Sequence, residues 1–120
     1  MHEVSVAQNI VEIVVAEAEK ANAEKVTVVK LDVGELSGIE KEALLFAWDM
    51  VTKQTIAEGA SLIIQDIGGI AKCFSCHHQF QTSDYFMVCE KCGDFKTDII
   101  QGKELQVKSI IIDDGITDDH

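Results

Sequence analysis

Four cysteines carry the most specific chemical pattern in the sequence. They stand as two pairs, Cys73-Phe-Ser-Cys76 and Cys89-Glu-Lys-Cys92, with twelve residues between them. A CxxC pair turns both sulfurs toward one ion, and the intervening loop brings the second pair opposite, which supplies the four thiolates of a tetrahedral zinc site. Gly93, directly after the second pair, suits the tight backbone turn of such a knuckle. Four thiolates close the coordination sphere and leave no position for water, so Zn(II) is expected to fold the surrounding segment and not to catalyse. A segment of about thirty residues buries too little apolar surface to fold alone, and metal binding supplies the missing free energy. His77 and His78 follow Cys76 directly. They are candidates to hydrogen-bond to the site or to replace a thiolate in it; a solvated histidine pair is the plain alternative.

The N-terminus holds the second constellation, Met1-His2-Glu3. A histidine in second position sets an imidazole beside the α-amine and the next backbone amides. With the amine deprotonated, these nitrogens can wrap one ion in fused chelate rings, a donor set that suits nickel or copper. A histidine near a chain start is common, so by itself the pattern is weak. His120 reads as an ordinary tail residue.

These residues must be held by the rest of a 120-residue chain that carries 10 Lys+Arg against 21 Asp+Glu, a net charge of −11. This length allows one domain, or one domain with a small lobe. The charge opposes any binding mode that neutralises phosphates, and so argues against nucleic acid. An apolar content of 47% excludes wholesale disorder. No run approaches the ~18 apolar residues of a membrane span. The start shows no charged region followed by an apolar stretch and a cleavage site, so no secretory signal is expected and the location is read as cytoplasmic, where paired cysteines more often bind metal.

Val4, Ala7, Val11, Val14, Ala18 and Ala21 recur at helical spacing, with Ile10, Ile13 and Val15 widening the stripe, and Asn22 marks the helix end. Lys25 to Gly34 alternates like a strand. Ser37 and Glu40 stand at capping-box spacing before a second helix over about Ile39 to Gln54, with Leu44, Ala47, Trp48 and Val51 inward and Leu45, Phe46 and Met50 broadening the stripe. Ser61 to Ile67 and the segment from Leu105 to Ile112 are two further strands. Between Ile70 and Gly102 the periodicity fades and the cysteines appear. The expected architecture is α+β: a small three-stranded sheet with two helices on one face, plus an inserted zinc-ribbon-like lobe. Residues 1–69 and 103–113 form the first domain, 70–102 the lobe, and 114–120 a flexible acidic tail. The Gly68-Gly69 junction is a candidate pivot for the lobe.

The opening MHE, the segment VGELSGIE (Val33 to Glu40), the spacing of the two CxxC pairs and the closing LQVKSIIID together resemble the HypA/HybF hydrogenase maturation proteins, over nearly the whole chain and in the same order. The resemblance implies a nickel metallochaperone that carries Ni(II) toward the large subunit of nickel–iron hydrogenase, and in some organisms toward urease. It implies nickel ligands from the Met1 amine, the amide and imidazole of His2 and the amide of Glu3. A carboxylate from the turn before the second helix assists in some members; the matching position is Glu40, where some relatives have aspartate. Cys73, Cys76, Cys89 and Cys92 would hold the structural zinc. The implied partners are the hydrogenase-maturation GTPase, the hydrogenase large subunit and urease maturation proteins.

Two other readings compete. Double CxxC lobes also serve as zinc-ribbon interaction modules for nucleic acid or protein, without nickel. Here the lobe lysines Lys72, Lys91 and Lys96 are offset by Asp84, Glu90, Asp94 and Asp98, which speaks against nucleic acid. A thiol enzyme would place its CxxC near a βαβ pattern, and two pairs in a loop-rich segment do not fit. No Ser/His/Asp set, phosphate loop or catalytic carboxylate pair is visible, so no enzymatic activity is expected.

Overall fold

The computed structural model describes residues 3–83 and 88–113. The elements run α1 (Glu3–Lys20), β1 (Lys25–Gly34), α2 (Lys41–Val51), β2 (Ser61–Ile67), β3 (Ile70–Cys73), β4 (Gln79–Gln81), β5 (Thr97–Gln101) and β6 (Leu105–Asp113). This is the expected α+β class. The tail at 114–120, read as flexible, lies outside the described residues, as do Met1 and His2.

Helix α1 forms because Ala7, Ile10, Val11, Val14 and Ala18 fall on one face at the helical period, and that face is buried. Asn22 stops it in the left-handed conformation (φ 57°) while the Ala23 N–H reaches back to the Ala18 carbonyl at 2.9 Å. Strand β1 is rich in β-branched residues, and Val29, Leu31 and Val33 on one of its faces are fully buried. Helix α2 buries Leu44, Ala47 and Trp48. The Trp48 ring donates its Nε1–H to the Ala60 carbonyl at 2.9 Å, which satisfies the one polar atom of the largest buried side chain. Leu45, Phe46 and Met50 do not broaden the buried stripe as expected; all three are exposed.

The first sheet has the order β2-β1-β6. The Glu24 N–H binds the Asp113 carbonyl and the Gly34 N–H the Glu104 carbonyl, so β6 runs opposite to β1. At the other edge, Val26 pairs with Ile56 and Glu35 with Ile67, so β2 runs along β1, and α2 makes the crossover that parallel strands require.

A second sheet, ordered β4-β3-β5, is antiparallel throughout. The sequence pattern predicts a loop-rich lobe here, without strands. Its strands are only 4, 3 and 5 residues long, too short for alternation to register.

The chain divides into two compact units. One takes Glu40–Ile64 with the chain up to Leu31 and from Val107; the other takes Asp32–Ile39 and Gln65–Gln106. The boundaries expected at 70 and 102 thus fall inside the second unit, which also holds the end of β1 and the turn after it.

A backbone crossing explains why. The Gly34 N–H binds the Glu104 carbonyl (2.7 Å), the Glu35 N–H the Ile67 carbonyl (2.9 Å), and the Leu36 N–H the Gly102 carbonyl (2.7 Å). A Cβ on Gly34 would collide with the Gly102 carbonyl; one on Gly69 would collide with the Thr82 carbonyl and the Leu36 side chain. Gly102 itself sits at φ +119°, closed to other residues. Three chain segments meet here with no room for side chains, and Leu36 is buried among them. Gly68 has open space around it, but Gly69 is packed, which argues for a clamp where a pivot was expected.

Candidate metal centre

Cys73 ends β3, and Cys76 follows in the turn to β4. Cys89 and Cys92 lie in the turn region before β5. The two knuckles repeat one backbone plan. The Cys73 carbonyl accepts the His77 N–H at 2.8 Å, and the Cys89 carbonyl accepts the Gly93 N–H at 2.9 Å. The Cys73 N–H donates to the His78 carbonyl and the Cys89 N–H to the Asp94 carbonyl, both at 2.9 Å. His77 (φ 65°) and Gly93 (φ 77°) hold the same left-handed position, four residues after the first cysteine of each knuckle.

The two knuckles are tied to each other. The Ser75 hydroxyl donates to Asp94 Oδ2, the Phe74 N–H binds the Lys96 carbonyl at 2.8 Å, and the Lys96 N–H binds Asp94 Oδ1 at 3.1 Å. The Ser75 hydroxyl first, and the Lys96 N–H second, hold the Asp94 carboxyl below its ordinary range. His78 Nε2 lies 3.0 Å from Glu90 Oε2 and its ring stacks on Phe80 at 6.0 Å. Ala71, Cys73, Phe80 and Cys89 form the apolar core underneath.

All four sulfurs lie within 4.8 Å of one another, and among the described residues this is the group of His, Cys, Asp or Glu ligand atoms that could hold a metal ion. Cys73 and Cys92 Sγ are 3.6 Å apart, as are Cys76 and Cys89. Zinc–sulfur bonds of ~2.3 Å at tetrahedral angles put sulfurs about 3.8 Å apart, so the four residues fit Zn(II). The expectation that His77 or His78 joins the set finds a different placement: His77 serves the turn through its backbone, and His78 faces Glu90.

The thiols are unequal. Burial pushes the Cys89 thiol up, but the N–H groups of Cys92 and Lys91, each 3.4 Å from its sulfur, outweigh that and hold it at about 6. For Cys92 the Asp94 N–H acts downward, yet desolvation and the neighbouring thiols push it up to about 12. Cys76 is raised too: the His78 N–H lowers it, but desolvation and the Cys89 and Cys73 thiols prevail.

At the second candidate site, Met1 and His2 lie outside the described residues; Glu3 and Glu40 are described. Glu3 Oε2 accepts the backbone N–H of Glu40 at 3.0 Å. This replaces the expected capping box. Helix α2 starts at Lys41 with Glu40 as N-cap, and no side chain of its own caps it. Ser37 Oγ instead accepts the Ile39 N–H at 3.3 Å. The reach to the N-cap N–H that a capping-box glutamate makes is made by Glu3 from α1. The contact ties the residue after His2 to the start of α2. Sequence spacing is silent on it because the two residues are 37 apart.

Residues 1–112 match the family model described as hydrogenase/urease nickel incorporation, metallochaperone, hypA. Hydrogenase maturation factor HypA of Chlorobium phaeobacteroides is 41% identical over 113 residues, covering 94% of this chain and all of its own length. The Crocosphaera subtropica protein of the same name is 40% identical over 114 residues, 95% of this chain and 97% of its own. The solution structure of the Ni metallochaperone HypA from Helicobacter pylori superposes with a TM-score of 0.69 at 28% identity, covering 94% of this chain and 98% of that one. A further HypA solution structure gives 0.72 at 28% identity.

Proposed function

This chain belongs to the HypA family of nickel metallochaperones of hydrogenase maturation, and from that premise we propose that it carries one Ni(II) ion on its N-terminus and passes it on by ligand exchange. The proposed donors are the Met1 amine, the His2 amide and imidazole, the Glu3 amide and the Glu40 carboxylate. The observation that supports this set is the hydrogen bond from the Glu40 N–H to Glu3 Oε2. It spends the Glu3 carboxylate on the start of α2 and so brings the Glu3 side chain to Glu40, whose own exposed side chain takes no part in capping.

Amine and amide nitrogens bind nickel only when deprotonated, so uptake is favoured at neutral pH and lost in acid. A site made from a chain end can be unwrapped one donor at a time, which suits a carrier that has to release its cargo. In the cysteine unit, Cys73, Cys76, Cys89 and Cys92 hold Zn(II), whose part is to fold that unit. The proposed receivers and suppliers are the hydrogenase-maturation GTPase, the hydrogenase large subunit and urease maturation proteins, in the cytoplasm. No enzymatic step on a substrate is involved.

The test is a calorimetric nickel titration of untagged protein beside His2→Ala and a form extended by one residue before Met1. One nickel per chain is expected in the first and strong loss in both variants. Unaltered binding by the extended form would overturn the amine-ligand model.

A further inference from the structure

We propose that the groove between the start of α1 and the outer face of α2 is the docking site for a basic amphipathic helix of the protein that exchanges nickel with this chain. The proposal rests on the nickel-carrier reading and names the chemistry of its partner.

Phe46 is 69% exposed, Met50 46% and Val4 47%. With Ala43 and Glu3 they line a groove of about 410 Å³ on the first unit. Ala43, Phe46 and Met50 stand at i, i+3 and i+7 on α2, a single apolar ridge on the side away from buried Leu44 and Trp48. Phenylalanine and methionine are enriched where a protein meets a partner, and a ridge with this spacing is the receiving half of helix-in-groove recognition. At about 1.5 Å per residue the ridge is about 10 Å long, two turns of a docked helix.

Charge selects the occupant. Glu42 and Asp49, four residues before and three after Phe46, are exposed and flank the ridge on α2, and Glu3 lines the groove. Lys41 and Lys53 stand at and just past the ends of α2, beyond this stretch. A helix with large apolar residues on one side and lysine or arginine beside them meets both the floor and the rim. A second copy of this chain does not, because a two-fold contact would bring acidic rims of a protein of net charge −11 together. Position in the chain gives the surface its purpose: Glu3 lines the groove and is itself one of the proposed nickel donors, directly after His2 in the sequence.

The test uses isotope-labelled full-length protein with zinc bound, observed by NMR at low salt with and without nickel. The probes are a leucine/lysine amphipathic helix of about 14 residues, the same helix with glutamate for lysine, and a scrambled leucine/lysine peptide. Expected are shifts confined to the groove residues with the leucine/lysine helix alone, and affinity lowered about tenfold or more in the Phe46→Ala/Met50→Ala variant. Glu42→Gln/Asp49→Asn should weaken binding chiefly at low salt. Equal binding by the apolar double variant, by the glutamate helix or by the scrambled peptide would overturn the proposal. Concentration-dependent shifts at the groove without peptide would also overturn it, in favour of self-association. The double variants are titrated with nickel as well. Unchanged nickel uptake with lost peptide binding supports the docking surface, whereas lost uptake in His2→Ala bears only on the nickel site.

Discussion

His77 does for the first knuckle what Gly93 does for the second. Both lie in the left-handed region and donate their N–H to the first cysteine of the pair. An L-residue holds that conformation at a cost of about 1–2 kcal/mol, and glycine does so freely at an entropic cost of about 0.5–1 kcal/mol. His77→Gly is therefore expected to leave zinc affinity and thermal stability within about 1 kcal/mol. His77→Val, β-branched and ill suited to positive φ, should lower stability by about 1–3 kcal/mol. Chelator competition and thermal unfolding on both variants check this. A loss in His77→Gly as large as in His77→Val would show that the imidazole matters. The cysteines of this site were legible because thiolate spacing is itself the chemistry. The backbone role of His77 was masked by its ring, although counting four residues from each first cysteine leads to it.

At the scale of elements, the strands and helices of the first unit followed from periodicity, while the contacts that join segments did not. Helix α2 looked as though it carried its own cap, yet its N-cap N–H is bound by a carboxylate from α1. Hydropathy alone puts its apolar residues in one inward stripe, because it does not separate a core face from an exposed one; Leu44 and Trp48 point in and Phe46 points out. The glycine crossing was invisible for a related reason, since backbone packed on backbone leaves only an absence of side chains. Its consequence can be measured. Gly34→Ala places a methyl group on the Gly102 carbonyl, and should lower stability by about 3 kcal/mol or more. Gly59→Ala, strained only by its φ of +81° with open space around it, should lose about 1–2 kcal/mol. Thermal unfolding of the zinc-bound variants decides; similar losses would mean that the crossing is loosely packed.

For the molecule as a whole, composition says little about organisation. No helix among the described residues is long and apolar enough to cross a membrane. The division into units was only partly legible, because Asp32–Ile39 continues a strand of the first sheet in sequence yet belongs with the cysteines in space. The thiol imbalance makes the metal state of that unit depend on pH. At neutral pH Cys89, near 6, is already a thiolate, whereas Cys92, near 12, keeps its proton until metal displaces it. Zinc binding thus releases protons, and affinity should fall as the pH is lowered, by about tenfold per pH unit for each proton released. The slope should steepen below about 6, where Cys89 also takes up a proton. Chelator competition from pH 5.5 to 8, with proton release followed in weak buffer, tests this; a flat profile would rule it out.

Trp48 is the single tryptophan of the chain, and it sits 2% exposed in the unit that holds Glu3 and Glu40. The single tyrosine, Tyr85, and every phenylalanine but Phe46 fall between residues 74 and 95. Indole emission therefore reports on the helical unit alone, and sulfur-to-metal absorption bands, with cobalt in place of zinc, report on the other. An unlabelled sample thus carries two optical channels, one for the side assigned to cargo and one for its scaffold.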